Sequence, residues 1–180
     1  MGVNVLTSLQ LNYYKDMEFL IDMTRDQESI VAFSNLVELN IERMVSLKGL
    51  CYGLPPTRFL QNLKQVSIKH CEELQVIFQM DKLSEKVKCQ TPLCSSLTIL
   101  ELYSLPKLER VWKLEPSHHA IASLTRLKVL RTVHCNKLKT IFSPCLALSM
   151  LHLQGLNIRH CDGLEQVIDF GKEEEIIEVG

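Results

Sequence analysis

Aromatic side chains make up only 6% of this 180-residue chain, with a single Trp, and its seven glycines nowhere cluster. That scarcity of glycine excludes a phosphate-cradling loop, and neither G-x-x-x-x-G-K-[ST] nor G-x-S-x-G nor H-E-x-x-H occurs. Charge of one sign is also missing, since 20 Lys and Arg against 21 Asp and Glu leave a net charge of −1. A balance so near zero exerts no global pull toward nucleic acid or an anionic membrane. No apolar run approaches the roughly 20 residues of a membrane span. The start, "MGVNVLTSLQLNYYKD", lacks the basic region and continuous apolar stretch of a signal peptide, and no Asn-x-Ser/Thr sequon occurs. Leu6 stands where a myristoylation signal wants Ser or Thr. Without a sign of secretion, the seven cysteines are expected as reduced thiols of a cytoplasmic protein.

What the chain does have is leucine, and the leucine is periodic. "LKQVSIKHCEELQVIF" (63–78) aligns without a gap on "LKVLRTVHCNKLKTIF" (127–142) and "LQGLNIRHCDGLEQVI" (153–168). The same template fits "LTILELYSLPKLERVW" (97–112), "LVELNIERMVSLKGLC" (36–51) and, less closely, "LTSLQLNYYKDMEFLI" (6–21). The shared pattern is L-x-x-L-x-L-x-x-C-x-x-L-x-x-I. Of its 36 apolar positions over six copies only Thr132 is polar, where the 46% apolar composition would place roughly 17 by chance. Successive copies are offset by 30, 27, 34, 30 and 26 residues, and such periods with this leucine pattern resemble leucine-rich repeats.

The expected architecture follows from the pattern. Alternation in "LxLxx" describes a short strand with its apolar side turned inward. A unit this small cannot bury its own apolar face, so copies must stack and pair their strands in parallel, about 4.8 Å apart. The expected fold class is therefore α/β: a solenoid with a parallel sheet on its concave face and short helices, 3₁₀ turns or loops on its convex side. The array spans 1–172, and 173–180 forms an acidic tail. "QMDKLSEKVKCQTPLCSS" (79–96) reads as a polar surface excursion, and Pro55-Pro56 as an extended turn. Neither end carries the polar outer face of a capping unit, so the chain is expected to continue a longer array or to pair at its ends.

Three His-Cys doublets, at 70–71, 134–135 and 160–161, invite a catalytic or metal reading. The template argues against both. Other copies place Tyr14, Met44 and Leu105 where these hold Cys71, Cys135 and Cys161, which suits a buried apolar slot and not a ligand position. Neighbouring strand residues point to opposite faces, which separates each His from its Cys as base and nucleophile. His70, His134 and His160 are expected as surface residues; Ser104 interrupts their row, while His134 and His160 fall in adjacent copies. Phe78, Trp112 and Phe142 share one position and are expected to stack as a convex-edge aromatic ladder. No enzyme and no cofactor is expected.

What remains is surface for binding. One outward column holds Gln10, Asn40, Ser67, Glu101, Arg131 and Asn157, and the next holds Asn12, Glu42, Lys69, Tyr103, Val133 and Arg159. Glu42, Lys69, Glu101, Tyr103, Arg131 and Arg159 are the candidate protein-binding residues, with Tyr103 as an aromatic anchor and the C-terminal half somewhat basic.

Irregular repeats of this form, in "NLKQVSIKHCEELQVIF", "RLKVLRTVHCNKLKTIF" and "SLPKLERVW", resemble the C-terminal leucine-rich region of intracellular plant disease-resistance receptors of the coiled-coil, nucleotide-binding type. The resemblance covers about residues 33–170. It implies a module that senses a pathogen effector, or a host protein altered by one, and that folds back on a nucleotide-binding domain to restrain it. No P-loop, nucleotide-binding domain or coiled coil occurs in this sequence, so any nucleotide switching is expected either in a longer parent protein or to have been lost from this product. Ordinary leucine-rich repeats often carry Asn where this chain has Cys, Met, Leu or Tyr, so an Asn hydrogen-bond ladder is not expected. The alternative reading is the repeat module of another intracellular adaptor, such as a ubiquitin-ligase substrate receptor.

Overall fold

Each copy of the template folds into a pair of short strands. The computed structural model describes residues 4–23, 31–53, 58–80, 94–114 and 123–170. First strands are β1 (Ser8–Asn12), β3 (Glu38–Glu42), β5 (Gln65–Lys69), β7 (Ile99–Tyr103), β9 (Val129–Val133) and β11 (Gly155–Arg159). They join into one six-stranded sheet in the order β1-β3-β5-β7-β9-β11, every pair parallel. Leu9, Leu39, Val66, Leu100, Leu130 and Leu156 stand in one inward row. Leu11, Ile41, Ile68, Leu102, Thr132 and Ile158 form the second. In the central copies these residues are buried, each aliphatic one contributing about 1.5–3 kcal/mol.

The return path differs from expectation. It is built mainly of strands: β2 (Phe19–Met23), β4 (Gly49–Gly53), β6 (Val76–Met80), β8 (Arg110–Leu114), β10 (Thr140–Phe142) and β12 (Gln166–Ile168). These pair in parallel as β2-β4, β6-β8 and β10-β12. Among the described residues one helix occurs, α1 (Pro144–Ser149). The reason is local: the returns carry β-branched and aromatic residues, such as Val76-Ile77-Phe78 and Thr140-Ile141-Phe142, which favour extended backbone. Helix α1 has its own start signal, Ser143, whose hydroxyl accepts from the Leu146 N–H at 3.3 Å, followed by Pro144. Its Ser149 hydroxyl accepts from the Leu124 N–H at 2.9 Å, tying the helix to the approach to β9.

A second feature absent from the sequence reading recurs at every strand exit. Tyr13, Arg43, His70, Ser104, His134 and His160 all adopt left-handed backbone, with φ between 51° and 65°. None is glycine, so each conformation costs about 1 kcal/mol. In five of the six the geometry turns the N–H onto the next strand: Tyr13 donates to the Glu42 carbonyl at 3.2 Å, Arg43 to Lys69 at 3.0 Å, His70 to Tyr103 at 2.9 Å, Ser104 to Val133 at 2.8 Å and His134 to Arg159 at 3.0 Å. The strand entries are tied likewise, Thr98 donating to Lys64 at 2.8 Å and Lys128 to Thr98 at 2.9 Å.

The core runs through the stacked copies. Phe78, Trp112 and Phe142 are buried and stack in sequence, with centroids 6.1 and 5.6 Å apart and planes inclined by 15° and 24°, as expected. The terminal copies are less enclosed: Leu6, Leu9, Leu11, Leu153, Ile158 and Leu164 are half-buried, and Leu156 is 40% exposed. Both Pro55-Pro56 and the tail 173–180 lie outside the described residues, as does most of the excursion 79–96.

Candidate protein-interaction face

The outward face of the six-stranded sheet is a grid, since period-2 alternation gives each five-residue strand three outward positions. The middle column runs Gln10, Asn40, Ser67, Glu101, Arg131 and Asn157, and the exit column Asn12, Glu42, Lys69, Tyr103, Val133 and Arg159. A third, entry column holds Ser8, Glu38, Gln65, Ile99, Val129 and Gly155. The entry column lies two residues N-terminal of the middle one, where the same period-2 alternation places it.

Four of the six candidate binding residues are brought together in two pairs. Glu101 and Arg131, side by side on β7 and β9, form an ion pair and hydrogen bond. The Lys69 ammonium stands 5.3 Å from the centre of the Tyr103 ring, a cation–π contact between β5 and β7. Glu42 meets the Arg43 guanidinium at 3.2 Å, and that guanidinium also lies over the Tyr13 ring and donates to its hydroxyl. Arg159 is exposed at the end of β11 and has no ion pair among the described residues. Pairs in which both partners are this exposed contribute about 0–1 kcal/mol each, so they order the surface more than they stabilise the fold.

The histidines sit at the rim. His70, His134 and His160 are exposed, and the rings of His134 and His160 stack 4.7 Å apart with planes 9° from parallel. Strand alternation is not what separates each His from its Cys. His70, His134 and His160 lie just past their strands, in left-handed backbone, and that turn rather than strand alternation sends His outward and Cys inward.

The cysteines pack as expected, with an addition. Cys71 and Cys135 are fully buried and Cys161 half-buried. Each thiol also donates across the left-handed residue, Cys71 to the Lys69 carbonyl at 3.4 Å, Cys135 to Val133 at 3.7 Å and Cys161 to Arg159 at 3.4 Å. Burial pushes the Cys71 thiol up to about 11 and the Cys135 thiol up to about 12. Burial likewise raises Cys94, beside the Trp112 indole, to about 12. Such thiols are poor nucleophiles and poor ligands at neutral pH. Met44 and Leu105 fill the same buried slot, whereas Tyr14 in the first copy is 54% exposed and departs from the pattern. Among the described residues no group of three or more His, Cys, Asp or Glu is placed to hold a metal ion. No helix among them is long and apolar enough to cross a membrane.

Comparison with curated proteins and with solved structures finds no match. The family model for leucine-rich repeats of RPS2-like plant disease resistance proteins matches residues 7–162, which span all of β1 to β11. With most of its length covered by that match and every copy of the repeat folded on one strand frame, the chain belongs to the leucine-rich repeats of RPS2-like plant disease resistance proteins.

Proposed function

We propose that this chain is the protein-recognition module of a cytoplasmic plant immune receptor. It binds a pathogen effector, or a host protein that an effector has altered, through the outward face of its six-stranded sheet. In the parent receptor it also contacts a nucleotide-binding domain and helps restrain it. It acts by binding and carries out no reaction. The observation that carries the reading is the face itself: eighteen outward positions held in strict register, with Tyr103, Arg131 and Arg159 gathered on three adjacent strands. Tyr and Arg dominate binding energy at protein interfaces because each offers a large, rigid contact area together with polar groups. Family membership supports the defence role.

The test is a pull-down with immobilised chain from plant tissue expressing candidate effectors, captured proteins being identified by mass spectrometry. Joint Tyr103→Ala, Arg131→Ala and Arg159→Ala substitution is expected to abolish capture while leaving the unfolding midpoint near that of the unsubstituted chain. A folded triple variant that still captures the same partner would overturn the assignment of the face.

A further inference from the structure

The two halves of the outward face differ in kind. On β1, β3 and β5 all nine outward residues are polar, and the charged ones are Glu38, Glu42 and Lys69. On β7 and β9, Ile99, Tyr103, Val129 and Val133 point outward and remain partly exposed. Register places Ile99 beside Val129 and Tyr103 beside Val133, giving two apolar ridges with the Glu101–Arg131 pair between them. The ridges are offset by four positions, about 13 Å along the strand at roughly 3.3 Å per residue. Partly exposed apolar side chains rimmed by polar ones offer a partner both buried contact and polar anchoring.

Charge identifies what fits there. Glu101 is already neutralised by Arg131, and Lys69 is drawn over the Tyr103 ring. Arg159 stands directly beside Val133 in the register and keeps an exposed guanidinium with no ion-pair partner among the described residues. Lys128, exposed and just ahead of Val129, is unpaired in the same sense. Basic groups therefore flank both ends of the apolar surface, and its single outward carboxylate is spent. Outward positions repeat about every 6.6 Å along each strand, the same spacing at which an extended peptide presents alternate side chains.

We propose that β7, β9 and β11 form a docking site for an extended acidic peptide segment, with apolar side chains seated on the Ile99–Val129 and Tyr103–Val133 ridges and a carboxylate on Arg159. This rests on the protein-binding reading of the face and adds to it the chemistry of the partner and the half of the sheet it uses. The polar half, β1 to β5, then contributes little to holding that segment.

The experiment measures fluorescence anisotropy of labelled synthetic peptides titrated with the whole chain. The probe alternates Asp and Leu; the comparison peptides alternate Lys with Leu and Asp with Ser, and a single-stranded oligonucleotide of matched charge serves as competitor. The Asp-Leu probe is expected to bind, to weaken as salt is raised, and to weaken about tenfold on Arg159→Glu and again on Val133→Asp. Both positions face outward, so an unchanged unfolding midpoint shows that each variant is folded. Gln10→Ala, on the polar half and outside the six candidate binding residues, is expected to leave binding within about twofold. Equal binding of the Lys-Leu peptide, full binding of the Asp-Ser peptide, displacement by the oligonucleotide, or indifference to both variants would overturn the proposal. Absence of probe binding, with partner capture still abolished by the triple alanine variant, overturns the acidic-peptide inference and leaves the recognition face standing. Retained capture by the triple variant overturns the face itself.

Discussion

The Thr132 hydroxyl lies 3.6 Å from the Cys161 thiol, one rung further along the solenoid. Thr132 is the lone polar residue among the 36 template positions, and it is fully buried. Its hydroxyl therefore depends on the neighbouring copy, where the recurrent cysteine supplies a weak polar partner inside an otherwise aliphatic ladder.

Removing the thiol should cost more than removing the hydroxyl. Cys161→Ala leaves a buried hydroxyl without a partner and is expected to destabilise the chain by about 1–3 kcal/mol. Thr132→Val removes that need and is expected to change stability by under about 1 kcal/mol, in the stabilising direction. Urea unfolding of both single variants and the double measures this; a loss for Cys161→Ala that is unchanged in the Thr132→Val background would show the two side chains to be uncoupled.

The buried thiols should tie stability to alkaline pH. Burial raises Cys71, Cys94 and Cys135 above their ordinary 9.0, so between 9.0 and about 11–12 the folded chain holds protons that the unfolded chain releases. Stability from these groups is thus complete below pH 9 and falls as pH rises above it. Unfolding midpoints measured from pH 7 to 10.5 should decline above 9, less steeply for the Cys71→Ala, Cys135→Ala variant. In native protein at pH 8, an alkylating reagent should mark exposed Cys145 well before Cys71 or Cys135, as peptide mapping would reveal.

Trp112 sits between Phe78 and Phe142, and its buried indole N–H has no oxygen or nitrogen partner among the described residues. Trp112→Ala is expected to cost about 3–5 kcal/mol through the cavity and the broken stack. Trp112→Phe keeps the stack and removes the unsatisfied donor, so its cost should stay under about 2 kcal/mol. Chemical denaturation distinguishes the two; equal losses would mean that volume alone matters there.

The left-handed exits can be probed at His70, where φ is 54°. His70→Val places a β-branched residue in that conformation and should destabilise the chain by about 1–2 kcal/mol. His70→Gly relieves the strain but loosens the unfolded chain, so a change within about 0.5 kcal/mol is expected. Thermal unfolding would settle the order. A valine variant as stable as the glycine one would remove the argument from backbone strain.

How much of this was legible in advance depends on the range of the interaction. Inward rows such as Leu39, Val66, Leu100 and Leu130 follow from local alternation, and so do the aromatic stack of Phe78, Trp112 and Phe142 and the neighbourhood of His134 and His160. The return strands cannot be told in the sequence from helix, turn or loop, because three or four apolar residues do not by themselves distinguish those states; only pairing with the next copy makes β6 and β8 strands. The left-handed row was invisible because His, Ser, Arg and Tyr carry no glycine signal, and the conformation is held by a hydrogen bond to another copy. Of the candidate face, alternation places all three columns, while the apolar ridge of Ile99 beside Val129 emerges only once β7 and β9 pair.

By itself, then, the sequence determined which side of every strand is buried, because a period of two apolar residues admits one orientation against a shared core. Tertiary structure alone decided which outward residues meet. Glu101 reaches Arg131, and Lys69 reaches Tyr103, across 30 and 34 residues of chain, because parallel pairing converts a repeat offset into contact between neighbouring strands. Irregular offsets leave that register unstated in any one copy. Once the strands pair, it is fixed at every rung.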